Sequence, residues 1–138
     1  MSGNDAQGLL QWGEALLWLD KAAEDIAIAH VALREDLTNP AAFHVQQAVE
    51  KILKGLLLAA AQDLRKTHDI EQLAELTHRH WPDLVPVPFP LISVTQWYVA
   101  GRYPGIDEPV PSAPEISEML QKVIALLAGS KSRAPGQQ

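Results

Sequence analysis

The sequence contains no cysteine among its 138 residues. Disulfide bonds, and zinc or iron–sulfur sites built on thiolates, are therefore excluded, and the composition fits a reducing compartment. Also missing is any run of the roughly 20 apolar residues that a helix needs to cross a bilayer. The most apolar stretch, residues 52–61, is interrupted by Lys54 and Gly55. Since the N-terminus lacks the basic start of a secretory signal, we predict a cytoplasmic protein with no membrane contact.

Aromatic residues make up only 6% of the chain, whereas alanine and leucine are abundant and 47% of residues are hydrophobic. This balance favours helices, because strands prefer β-branched and aromatic side chains. The net charge of −6 argues against indiscriminate binding to nucleic acid, although it permits a local basic patch. There is no glycine-rich phosphate loop and no G-x-S-x-G nucleophile elbow, so those enzyme classes are not expected.

Hydrophobic periodicity predicts a first helix from Leu9 to Leu37. Its inward stripe has members three and four residues apart: Trp12, Leu16, Leu19, Ala23, Ile26, His30, Leu33 and Leu37. The opposite, polar side carries Lys21, Glu24 and Asp25. A break at residues 38–40 follows, because the residue before a proline is pushed out of the helical region. With Asn39 as N-cap, the second helix is expected from Pro40 or Ala41 to Ala60.

Three shorter helices are expected after a polar connection. The first is capped by Asp69 with Gln72 three residues on, and presents Ile70, Leu73, Ala74 and Thr77 inward. A proline-rich crossover at residues 81–90 carries Trp81 and Phe89 and, with Trp97, is expected to cover the end of the bundle. A fourth helix covers Leu91 to Ala100, and a last one opens with Ser112 and Glu115 as a capping box and runs through Leu127, with Gly129 ending it.

These elements predict an all-α protein, an antiparallel up-and-down four-helix bundle with an additional short helix. We expect residues 1–8 to form an N-terminal tail, residues 9–128 the single bundle domain, and residues 129–138 a flexible C-terminal tail.

The second helix has two distinct faces. Its core stripe consists of Val45, Val49, Ile52, Leu53, Leu56 and Ala60, and its other face carries His44, Gln47, Glu50, Lys51 and Lys54. One interpretation of this second face is a solvated polar surface with a routine Glu50–Lys54 ion pair. The other is a binding site or an interface, because Phe43 and Leu58 flank the same face and would otherwise be exposed apolar residues.

Three segments carry a family resemblance. Residues 43–57 read Phe-His-Val-Gln-Gln-Ala-Val-Glu-Lys-Ile-Leu-Lys-Gly-Leu-Leu, residues 67–70 read Thr-His-Asp-Ile, and Tyr98 is followed by Gly-Arg-Tyr-Pro at residues 101–104. In this order, over about residues 9–127, they resemble the signature helix, the opening of the next helix and the Y…R-Y-P segment of HEPN domains (higher eukaryotes and prokaryotes nucleotide-binding). The resemblance implies a helical bundle that is usually a homodimer. It also implies membership of a nucleotidyltransferase-linked, toxin–antitoxin or other defence system, and many such domains bind nucleotides or RNA.

Catalytically active members of the family carry an R-x4-6-H motif. Its histidine moves the 2′-hydroxyl or leaving-group proton, and its arginine stabilises the charge of the phosphorane. No arginine of this chain has a histidine at that spacing, and acidic residues follow Arg102 instead. We therefore predict no catalytic residues. The alternative is a rearranged pair, in which Arg102 meets His44 or His68 in space.

The ligand-binding candidates are the polar residues of the three similar segments: His44, Gln47, Lys51, His68, Arg102 and Tyr103. Phe43 and Leu58 are the interface candidates. No cofactor and no metal are expected, because His78 and His80 lack a further ligand at a helical offset. Three hypotheses stay open: a non-catalytic module that binds a nucleotide, RNA or a nucleotidyltransferase partner, a ribonuclease toxin, and a structural dimerisation partner.

Overall fold

The computed structural model describes residues 3–63, 67, 69–98 and 111–136. Within these ranges the chain forms four α-helices and a 3-10 helix, with no strand. The helices are α1 (Gly3–Arg34), α2 (Thr38–Ala59), α3 (Ile70–His78) and α4 (Ala113–Lys131), and the 3-10 helix is Ile92–Tyr98. The all-α prediction is confirmed. The fourth predicted helix takes the 3-10 form, and residues 3–8, expected in a tail, lie within α1.

Small residues bring α1 and α2 together. Ala15, Ala22 and Ala29 recur every seven residues on α1 and are completely buried. Opposite them, a Cβ added to Gly55 of α2 would lie 3.2 Å from the Leu19 side chain and 3.3 Å from the Ala15 carbonyl oxygen. Because glycine alone leaves this space, the backbones of the two helices approach more closely than larger side chains permit.

The large core residues come mainly from α2, whose predicted stripe is buried with the exception of the half-buried Ala60. The four residues predicted to face inward on α3 are also buried. Asp69 caps α3 by accepting from the amides of Glu71 and Gln72, and Ser112 and Glu115 form the predicted capping box of α4.

The predicted stripe of α1 is wrong in several positions. His30 and Leu37 are exposed rather than inward, and Ala23 is only half-buried. Asp25, which was expected on the polar side, is 5% exposed. The cause is the alanine row: the face with small side chains, not the bulkiest one, contacts α2.

The break between α1 and α2 lies earlier than predicted. α1 ends in a left-handed turn at Asp36 (φ 58°), with hydrogen bonds from the Asp36 amide to the Leu33 carbonyl and from the Leu37 amide to the Ala32 carbonyl. Residues 38–40 therefore form the first turn of α2, where a proline is tolerated. The N-cap is Leu37, without a side-chain hydrogen bond, so Asn39 is not the cap.

The proline-rich crossover covers one end of the bundle, as expected. Phe89 and Trp97 are buried, and the Trp81 indole packs edge-on against Trp12 with ring centroids 5.9 Å apart. The Trp81 Nε1–H donates to the Leu56 carbonyl at 2.9 Å, which ties the crossover to α2.

The last helix extends beyond its predicted end. α4 passes Gly129 and ends at Lys131, and Ser130 is buried and donates to the Leu126 carbonyl. Ala134 is fully buried, and the Arg133 guanidinium pairs with Asp83 of the crossover. This pairing lowers the pKa of the Asp83 carboxyl, chiefly through the hydrogen bond from Arg133.

Candidate functional site

A buried carboxylate joins two of the predicted site residues. Asp25 of α1 faces α2, and its Oδ1 lies 2.8 Å from Nδ1 of His44 while its Oδ2 accepts from Nζ of Lys51 at 2.6 Å. The side chain of Asp25 is 7% exposed, against 24% for His44 and 26% for Lys51. We call these three residues the Asp25 cluster. Only its basic members reach solvent.

The polar face of α2 is therefore largely a packed face. Glu50 and Lys54 are both buried, and their charged atoms lie 3.9 Å apart. The interpretation of this face as a solvated surface is wrong, because Glu50 and Lys54 are buried and His44 and Lys51 contact Asp25 of α1. Since buried charges are costly unless paired, the pairing of each acid with a base is what permits their burial.

Sequence reasoning missed Asp25. A signal was present: Asp25 lies between Ala22 and Ala29, three residues after one buried alanine and four before the next. On a helix that spacing puts it beside the alanine row and opposite the basic residues of α2. Periodicity assigned by side-chain size alone concealed this.

Of the other ligand candidates, only Gln47 is among the described residues, and it does not join the cluster. Gln47 is half-buried, and its Nε2 donates to Oε1 of Gln46 at 2.8 Å. His68, Arg102 and Tyr103 lie outside the described residues. Phe43 and Leu58, the interface candidates, are half-buried, and the Phe43 ring meets the His44 ring edge-on at 5.2 Å.

The outward side of α1 is apolar where a helix surface is normally polar. Leu17, Ile28 and Val31 are 65%, 45% and 49% exposed. Between them lie Lys21 and Glu24, which are exposed and paired with each other at 3.5 Å. We call these five residues the outer face of α1. Helical spacing puts all five on one line, so α1 has large apolar residues on two opposite sides.

A cleft of about 330 Å³ adjoins this face. It is lined by Leu17, Trp18, Asp20, Lys21, Glu24 and Lys51. Two acids and two lysines give it no net charge, and Lys51 is already held by Asp25. The cleft therefore suits apolar groups with a few balanced charges better than it suits a phosphate.

A second groove of about 450 Å³ lies between the crossover and α4. Its walls are mostly apolar, with Phe89, Leu91 and Leu126 among them and Lys122 and Asp83 at its polar margin. None of the predicted site residues lines it.

The described ranges contain no candidate metal site and no candidate membrane-spanning helix. No group of three or more histidine or acidic side chains there is arranged to hold a metal ion, and no helix there is long and apolar enough to cross a membrane. His78 uses Nδ1 in a 2.8 Å contact with the Val85 carbonyl, a structural role.

The helical bundle and its signature helix define the class of protein. The HEPN domain family model matches residues 15–131, which includes all four α-helices in large part. The chain belongs to the HEPN domain family. Neither the comparison with curated proteins nor that with solved structures found a match.

Proposed function

We propose that this protein is a non-catalytic HEPN module that acts by binding another protein chain through the outer face of α1. The observation that carries the proposal is the exposure of Leu17, Ile28 and Val31 on one line of this helix. Large apolar side chains that are exposed along one line of a helix mark a candidate protein interface.

The electrostatics favour a protein over a polyanion. Lys51 and His44 contact Asp25, Lys54 is paired with Glu50, and Lys21 is paired with Glu24. Phosphate backbones bind where cations outnumber acids, because affinity comes from neutralising phosphates and releasing their counterions. On this side of the molecule the charges compensate one another.

The family context suggests what the partners are. Homodimerisation and a nucleotidyltransferase partner, within a toxin–antitoxin or defence system, remain our proposals for this chain. A nucleotide or RNA ligand at His68, Arg102 and Tyr103 also stays a prediction.

Two measurements test this function. RNA incubated with the purified protein should remain intact, and labelled RNA should show weak binding that does not change in Lys51→Ala. Association with a partner chain, whether a second copy of this protein or a nucleotidyltransferase, should be lost with Ile28→Asp but not with Lys122→Glu on α4. Tight RNA binding that requires Lys51 would overturn the proposal.

One observation favours a second candidate, ribonuclease activity with a rearranged catalytic pair. A carboxylate on Nδ1 of His44 fixes the imidazole and directs Nε2 away from it, which is how a general base is often oriented. In that case RNA cleavage should be detectable and should fall by at least about 100-fold in His44→Ala, as for loss of a general base. Intact RNA after long incubation excludes this candidate.

A further inference from the structure

We propose that the outer face of α1 pairs with the same face of a second copy, with the two helices antiparallel. Leu17 then lies opposite Ile28 of the second copy, Lys21 opposite Glu24, and Glu14 opposite Val31. The inference rests on the proposed function, since it names the partner of the surface described there.

The spacing of the exposed residues carries the first step. Glu14, Leu17, Lys21, Glu24, Ile28 and Val31 are separated alternately by three and four residues. This is the seam spacing of helices that pack side by side along their length. At a rise of about 1.5 Å per residue, the seam from Glu14 to Val31 is about 25 Å long.

The charges at the centre of the seam determine the direction of pairing. In a parallel pair Lys21 would lie against Lys21 and Glu24 against Glu24, so like charges would meet. In the antiparallel pair each Lys21 meets a Glu24 of the second copy, and two opposite-charge contacts form around the two-fold axis. Polar seam residues of this kind set helix orientation and register.

Apolar residues of the seam lie on both sides of the Lys21–Glu24 pair. Leu17 and Ile28 are on either side of the charged pair, and an antiparallel partner buries each of them against the other, twice in the dimer. Both are exposed in the single chain, so the burial of their remaining apolar surface is gained only on association. The partner helix also covers the cleft beside Lys51, because Leu17, Lys21 and Glu24 line it.

Mass measurement with charge variants tests both the surface and the direction. The wild-type chain should have about twice the monomer mass of 15.1 kDa in light scattering. Lys21→Glu should weaken the dimer at least about tenfold, because acid then meets acid, and adding Glu24→Lys should restore it. The matched control is the Glu118–Lys122 pair on α4, another exposed pair, where Lys122→Glu should change nothing.

Engineered thiols test the register directly, since the chain has no cysteine of its own. A Leu17→Cys chain mixed with an Ile28→Cys chain should form a disulfide-linked heterodimer, whereas neither variant alone should cross-link efficiently. Within one chain these positions are about 16 Å apart, which is too far for a disulfide. Equal cross-linking of Leu17→Cys with itself would refute the antiparallel register.

The outcomes separate this inference from the proposed function. A chain that is monomeric at all concentrations, yet binds a nucleotidyltransferase and loses it in Ile28→Asp, overturns the self-pairing and leaves the binding function standing. A dimer that Phe43→Asp or Leu58→Asp dissociates, while Lys21→Glu and Ile28→Asp do not, places the interface on α2 and overturns the inference. An antiparallel dimer that cleaves RNA refutes the non-catalytic function alone.

Discussion

Replacement of Asp25 by alanine should destabilise the fold strongly, although it removes only a small polar side chain. Asp25 is nearly inaccessible and accepts from Lys51 at 2.6 Å and contacts His44 at 2.8 Å. Breaking a buried ion pair by removing one partner costs about 3–5 kcal/mol, because the remaining charge is left uncompensated. Lys51 and His44 each reach solvent with about a quarter of their surface, so that penalty is reduced. We expect a loss of about 2–4 kcal/mol.

The assay is urea denaturation followed by circular dichroism, with thermal melts alongside. For a domain of this length, about 3 kcal/mol corresponds to about 10 °C in Tm. Asp20 supplies the matched control: it is on the same helix and also pairs with a lysine of another helix, Lys131 at 3.1 Å, but its side chain is 65% exposed. Asp20→Ala should cost less than about 1 kcal/mol, as exposed pairs do.

A double-mutant cycle locates the effect. Asp25→Ala and Lys51→Ala should be non-additive by about 1–3 kcal/mol, because both remove the same contact. If Asp25→Ala costs no more than Asp20→Ala, or if the cycle shows no coupling, the cluster does not hold α1 to α2 and the reasoning from burial is refuted.

Four further substitutions test the backbone and the C-terminal end by the same denaturation assay. Gly55→Ala should lower the free energy of unfolding by about 1–3 kcal/mol, because the added methyl group overpacks against α1. Gly13→Ala is the control: its methyl group meets nothing within 4 Å, so the substitution should stabilise the helix by up to about 1 kcal/mol. Equal effects of the two substitutions would refute the close approach of α1 and α2 at Gly55. Ala61→Gly should stabilise by about 1 kcal/mol, because Ala61 ends α2 in the left-handed region (φ 62°); a loss of stability would contradict this. The pKa of Asp83 is lowered by its pairing with Arg133, so this pairing stabilises the fold above pH 3.8, the ordinary pKa of the group, and the stabilisation is lost as the pH falls through the native pKa. Arg133→Gln should therefore be less stable than wild type at neutral pH and equally stable in strong acid.

Much of the bundle follows from sequence pattern, because the responsible interactions are local. The Asp69 cap and the Ser112–Glu115 capping box depend on residues three apart, and the structure has both. The core stripe of α2 was also predictable, since its Val, Ile and Leu residues occupy one side of the helix only.

The Asp25 cluster was less predictable, because it depends on which face of α1 packs against α2. His44 and Lys51 were identified as candidates, but their partner Asp25 lies 19 and 26 residues away along the chain. Only the packing of α1 on α2 brings these groups together. A helical wheel of either helix alone contains no information about that packing.

The pattern of α1 failed for a reason that bears on function. A helix with one buried side can be read from the position of its large apolar residues, but α1 has such residues on two sides. Its buried side carries the alanine row, with Gly55 of α2 next to Ala15, and Leu17, Ile28 and Val31 are left outside. A single chain gains nothing from three large exposed apolar side chains around a paired lysine and glutamate. The same helix of a second copy, running in the opposite direction, would bury the three apolar side chains and place its Glu24 opposite Lys21. Leu17, Ile28 and Val31, which the predicted core stripe did not include, are therefore the residues that indicate the interface.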